Sequence, residues 1–204
     1  MDTIQGHLER GAVTLMSGQP LIFPTDTVYG LGVAVGIAET PQVLFELKER
    51  DFGKPVAWLV ASPEALGLYG KDVPEYAFAL ARAFWPGPLS IIVKADTNVR
   101  ESFCAENRTI ALRMPRHDLA LQLIERAGVP LATTSANISG QKAPSTFEEI
   151  DPRLLEKVSV VLRDETCGTG LASTIVDCSG PVPRMVRTGN LSFEAIQEIV
   201  DASY

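Results

Sequence analysis

The sequence predicts an α/β fold: a single twisted mixed sheet flanked by helices, in one domain over residues 1–204. Two observations predict it. Apolar segments with helical and with strand periodicity alternate along the chain, without an internal repeat or a low-complexity linker. The last β-like segments also follow one another too closely for helical crossovers, so some neighbours must be antiparallel.

Asp2 or Thr3 is placed to cap a helix running to about Met16, with Ile4, Leu8, Ala12, Leu15 and Met16 as its apolar stripe and Gly18 as its stop. Leu21–Phe23 reads as a short buried strand ended by Pro24, and Gly32–Val35 as a further extended piece. Thr40-Pro41 is a cap followed by proline at the first position of a helix carrying Val43, Leu44 and Leu47 on one face. Pro55–Val60 is a strand, and Ser62-Pro63-Glu64 opens a short helix. Pro74–Trp85 is an apolar helix closed by Pro86-Gly87-Pro88, and Leu89–Val93 is a buried strand. Thr109–Arg113 is a strand, Asp118–Ala127 a helix capped by Asp118 and stopped by Gly128, and Leu131–Thr133 a strand. Val158–Leu162, Ser173–Asp177 and Met185–Arg187 are β-like, and Ser192 caps a last helix carrying Ile196, Ile199 and Val200.

The chain has 204 residues, enough to bury a substantial core, and an apolar content of 46%. No apolar run reaches the roughly 18 residues of a membrane span, and the N-terminus lacks the features of a signal peptide. Cys104, Cys167 and Cys178 have no metal-ligand spacing, and His7 and His117 alone support neither histidine-rich metal chemistry nor a two-histidine relay. A cytoplasmic protein is expected. A net charge of −7 argues against a broad nucleic-acid face, yet leaves room for a small basic pocket that takes a compact anion such as a nucleotide.

Thr25, Asp26 and Thr27 follow the Leu21–Phe23 strand where a packed core would want no polar groups. They are either a turn stabilised by side-chain oxygens or one edge of a small-molecule site, with Gly30 and Gly32 allowing a sharp turn or a close ligand approach. Asp26 is read as structural. Lys48 and Arg50 stand at the end of the Thr40 helix, with Lys54 just beyond. They either complement the helix dipole or, if the helix unwinds at Arg50, converge on one anion. On the Thr109–Arg113 strand the two-residue period puts Thr109, Ala111 and Arg113 on one face. Arg113, at the end of a buried strand, needs a partner, either an acidic side chain or a ligand. Thr133–Gly140 and Gly168–Thr174 are two further polar loops beside buried strands. There is no P-loop and no nucleophile elbow. Trp58, Phe84 and Trp85 read as core.

The loop P-T-D-T-V-Y-G-L-G, the triplet Lys48-Glu49-Arg50, the strand T-I-A-L-R-M-P, the segment T-S-A-N-I-S-G and the strand S-T-I-V-D occur in an order that resembles YrdC-type proteins, the threonylcarbamoyl-AMP synthase family, from about Gly18 to Gly189. The resemblance implies a nucleotidyltransferase. It would join L-threonine, bicarbonate (as CO2) and ATP into threonylcarbamoyl-adenylate and pyrophosphate, for the N6-threonylcarbamoyl modification of tRNA adenosine by a partner transferase. It also implies a large concave, positively charged cavity and a short, single-domain form. Matching motifs implies Thr27, Arg113 and Ser135 for threonine; Lys48, Arg50, Lys54, Thr109, Asn137, Ser173 and Arg187 for ATP; and Lys48 and Arg50 as the catalytic cations. Mg2+ is expected on the ATP phosphates, without a protein cage. The sequence departs from many relatives at Asp51, where they have Pro, at Lys54, often Asn, and at Leu59, commonly His. Two alternatives stand beside this reading: carbamoyl-adenylate chemistry like that of hydrogenase maturation factors, and a non-catalytic RNA-binding module with weak RNA contact.

Overall fold

A computed structural model describes residues 4–49, 56–164 and 168–203. Its helices are α1 (Ile4–Met16), α2 (Gln42–Leu47), α3 (Ala65–Tyr69), α4 (Glu75–Phe84), α5 (Asp118–Ala127), α6 (Pro152–Leu155) and α7 (Phe193–Asp201). The strands are β1 (Leu21–Phe23), β2 (Gly30–Ala34), β3 (Ala57–Leu59), β4 (Leu89–Lys94), β5 (Thr109–Arg113), β6 (Leu131–Ser135), β7 (Thr174–Asp177) and β8 (Arg184–Arg187). All eight strands form one mixed sheet in the order β1-β2-β6-β3-β5-β4-β7-β8. Among the described strands β3–β5 and β4–β7 pair in parallel, and β7–β8, joined by a short connection, pair antiparallel.

Alternation along the strands divides the core. Ile22, Leu31, Val33, Trp58, Ile91, Val93, Leu112 and Val176 pack on one face with apolar residues of α2, α3, α4 and α7. The opposite face carries Leu21, Phe23, Leu59 and Leu131, with Leu8 and Leu15 of α1 and Leu123 and Ile124 of α5 packed on them. These two helices cover only the β1 end of that face; the rest carries the cavity described below.

Several local readings need correction. Gly30 and Gly32 lie within β2 and make no turn. A Cβ on Gly30 would come 2.9 Å from Thr133 Cγ2, and one on Gly32 would come 3.0 Å from Thr133 Oγ1 and 3.1 Å from Phe23. Glycine is there because two side chains already fill the space. Asp118 is the first residue of α5, not its cap: His117 occupies that position without a side-chain capping bond. The left-handed Gly128 does end the helix, at φ 68°. Val158–Leu162 is no regular strand. It meets the sheet through a single bridge, Val161 to Ile22, because β1 is only three residues long and offers little edge. The cap expected at Asp2 or Thr3 lies outside the described residues, whereas Ser192 caps α7 by accepting the N–H of Ala195 at 3.2 Å.

Candidate active site

The open part of the sheet face holds a cavity of about 520 Å³. Its floor is set by the two-residue period: Ala57 and Leu59 of β3, Ala111 and Arg113 of β5, Ser90 and Ile92 of β4, Thr133 and Ser135 of β6, and Ser173 and Ile175 at β7. The small side chains of Ala57, Ser90, Ala111, Thr133, Ser135 and Ser173 leave the volume empty, while Trp58, Ile91, Leu112 and Val176 at alternate positions are buried in the opposite core.

The β1–β2 loop forms one wall. The Thr25 hydroxyl donates to Val28 O at 2.6 Å and accepts the N–H groups of Thr27 and Val28 at 3.2 and 3.3 Å. This is the side-chain turn read as one option, and it sets Thr27 at the cavity, so turn and site coincide. The loop is braced from outside. Thr169 and Gly170 donate backbone N–H groups to Asp26 O and Thr27 O at 3.1 and 2.9 Å, and Tyr29 donates to Pro144 O at 2.7 Å. At Gly168 a Cβ would collide with Thr27 O, which accounts for a glycine there.

Arg113 is 6% exposed, and three of its N–H groups are bound. Nε donates to Gly87 O at 3.0 Å, Nη1 to Thr27 Oγ1 at 2.9 Å and Nη2 to Asp26 Oδ1 at 2.5 Å. The partner that this arginine required is Asp26. Burial draws the Arg113 pKa down, and the Asp26 carboxylate acts against that pull.

Lys48 corrects its sequence reading. The helix ends at Leu47, and Glu49 then takes a left-handed φ of 52°. Lys48 is 2% exposed and is not a lining residue of the cavity. Its ammonium donates to Ser135 O at 2.5 Å, Asn137 O at 2.6 Å and Asn137 Oδ1 at 3.1 Å. With those donors engaged it neither reaches into the cavity nor merely sits on a helix dipole; it holds the Ser135–Asn137 turn. That turn is also tied to the first wall, since Ala136 donates to Tyr29 O at 2.8 Å. Ser135 Oγ donates to Asn137 Oδ1 at 2.5 Å, and both residues line the cavity.

On the far wall Ser90 Oγ and Ser173 Oγ are 2.9 Å apart. Arg187 lies over Ser173, donating Nε and Nη2 to its carbonyl oxygen at 3.0 and 2.8 Å and Nη2 to Oγ at 3.1 Å. Burial lowers the Arg187 pKa as well. Among the described lining residues, Arg113 and Arg187 are the ionised side chains.

Thr27, Arg113, Ser135, Asn137, Ser173 and Arg187 are thus brought together in one cavity. Thr109 is not: it does not line the cavity, and its hydroxyl donates to Asn107 Oδ1 at 2.7 Å. Arg50 and Lys54 lie outside the described residues. Sequence reasoning missed Ser90 and Gln141 as lining residues; Ser90 was visible as a polar residue inside the apolar run of β4. A second hollow of about 260 Å³, between α3 and the end of α5, contains none of the site residues.

Fold and cavity together define an α/β protein with a partly polar cavity, of the size of a small-molecule site, on the open part of one sheet face. A family model described as telomere recombination, that of the Sua5, YciO and YrdC proteins, matches residues 13–189, and the chain belongs to that family. It is 34% identical to the threonylcarbamoyl-AMP synthase of Pyrococcus abyssi over 91% of this chain and 55% of that protein. It is 32% identical to the threonylcarbamoyl-AMP synthase of Vibrio campbellii over 84% of this chain and 94% of that one. The crystal structure of P. abyssi Sua5 complexed with L-threonine superposes with a TM-score of 0.89 at 33% identity, over 97% of this chain and 58% of that chain. The chain therefore spans little more than half the length of its P. abyssi relative. Among the described residues no helix is long and apolar enough to cross a membrane.

Proposed function

We propose that the cavity joins L-threonine, bicarbonate and ATP into threonylcarbamoyl-adenylate, releasing pyrophosphate. The observation that carries this reading is the convergence of Thr27, Arg113, Ser135, Asn137, Ser173 and Arg187 on one cavity, in a family one of whose members is a Sua5 protein complexed with L-threonine. Arg113 and Thr27 receive the threonine carboxylate and Ser135 stands where amino acid and nucleotide meet. Asn137, Ser173 and Arg187 take the nucleotide side.

Threonine's amine adds to CO2 derived from bicarbonate and loses a proton to give a carbamate. A carbamate oxygen then attacks the α-phosphorus, and the bond to the bridging oxygen breaks as pyrophosphate leaves. No covalent enzyme intermediate is needed, so the work is positioning and stabilisation of developing negative charge. Arg187 supplies one cation, and Arg50 and Lys54 remain proposed phosphate partners. Lys48 contributes by fixing Ser135 and Asn137. Among the described residues no three His, Cys, Asp or Glu side chains come together as a metal site, which suits an Mg2+ ion carried in on the phosphate oxygens of ATP. Such an ion would offset phosphate charge. A cytoplasmic location and a transferase that passes the product to tRNA belong to the same proposal.

The test is pyrophosphate release from ATP and bicarbonate, with and without L-threonine. Release that depends on threonine is expected. Threonine-independent release, or none from correctly folded protein, overturns the proposal.

A further inference from the structure

The two arginines of the cavity differ in their partners. Among the described residues, Arg187 is bound to neutral oxygens of Ser173, whereas Arg113 is bound to a carboxylate, that of Asp26. Asp26 is not a lining residue; its side chain is 14% exposed, and its backbone oxygen is fixed by the N–H of Thr169 at 3.1 Å. It can therefore act on a ligand only through Arg113.

A guanidinium has five N–H groups, and the protein binds three of those on Arg113. Among the described residues two remain, one on each terminal nitrogen, which a carboxylate can accept. Gly87 O, Thr27 Oγ1 and Asp26 Oδ1 hold the group from three directions, so its plane is set before any ligand arrives. The carboxylate also offsets the Arg113 charge. Partly neutralised, that cation suits a monoanion better than a polyphosphate, which the unneutralised Arg187 attracts more strongly.

We propose that Asp26 is a positioning and specificity residue: it orients Arg113 for the amino-acid carboxylate and reserves it from the phosphates of the nucleotide. This rests on the function proposed above.

Asp26→Asn keeps the size and removes the charge. Calorimetric titration without ATP is expected to show L-threonine binding weakened about tenfold and inorganic pyrophosphate binding tightened several-fold. L-threoninamide, which lacks the carboxylate, should bind wild type and variant alike. In turnover the change should fall on the KM for threonine more than on kcat, an asymmetry that a general loss of fold does not produce. If Asp26→Asn is too unstable to assay, Asp26→Glu decides: its charge is kept but displaced, so threonine KM should rise while pyrophosphate affinity holds. Threonine affinity within twofold of wild type in the assayable variant overturns the role of Asp26. A wild-type protein that binds no threonine overturns the proposed function instead.

Discussion

The two halves of one sheet face have opposite fates. At the β1 end, Leu21, Phe23 and Leu131 meet Leu8, Leu15, Leu123 and Ile124, and α1 and α5 close over them. Farther across the sheet, from β6 and β3 to β5, β4 and the start of β7, the inward positions become Thr133, Ala57, Ala111, Ser90 and Ser173, and among the described residues no helix covers them. Backbone and pleat are continuous across the boundary; side-chain size and polarity change. Large apolar residues recruit a helix to bury them, and small polar ones leave a wetted hollow whose walls come from loops. A binding site is made here by what the strands omit.

The largest stability effect is expected in the covered half. Phe23→Ala should destabilise the protein by about 3–5 kcal/mol in chemical denaturation, because the ring is fully buried beneath the helices. Lys48→Met, at the edge of the open half, should cost about 1–3 kcal/mol, since carbonyl oxygens of the Ser135–Asn137 turn lose their donor. It should also raise the KM for ATP, and unchanged stability would remove the strut from the account. Ala111→Leu sharpens the contrast: in an empty cavity the larger side chain should change stability by less than about 1 kcal/mol while cutting pyrophosphate release more than about tenfold. Destabilisation on the scale of Phe23→Ala would mean the open half is packed after all.

The smallest effect lies at the seam, where His117 precedes α5. Burial pushes its pKa below the usual 6.5 against the pull of Asp164, Asp26 and Asp118, so the folded protein holds it neutral. The unfolded chain then takes up a proton near pH 6.5 that the folded one refuses, and stability falls as pH drops below that value. In His117→Gln, thermal denaturation from pH 7 to 5 should show a shallower decline.

Legibility in the sequence follows the range of the interactions. Leu21–Phe23 and Thr109–Arg113 were readable to the residue, because period-2 burial and a bounding proline are local signals. The motif loops gathered as expected, and Thr27, Arg113 and Asn137 share a cavity. Asp26 was read as structural, and it does hold a buried partner; that the partner is Arg113, 87 positions along the chain, is a tertiary fact that no local pattern announces. Lys48 misled for a related reason. The local pattern showed a basic helix end, but the oxygens that hold its ammonium belong to a turn far along the chain. Val158–Leu162 had strand composition without an edge long enough to pair with.

Strand order also has a consequence for synthesis. β7 inserts beside β4, and β8 beside β7, so the Ser173 and Arg187 wall of the cavity is made after the segments that carry Thr27, Arg113 and Ser135. Until then β4 is an exposed edge with unpaired backbone groups along one side. On a translating ribosome the Thr27 and Arg113 end of the cavity can take shape early, but the Ser173 and Arg187 end cannot. A chain interrupted before β7 would lack that wall and be prone to associate through the open edge of β4, so a complete cavity doubles as a report that translation has passed Arg187.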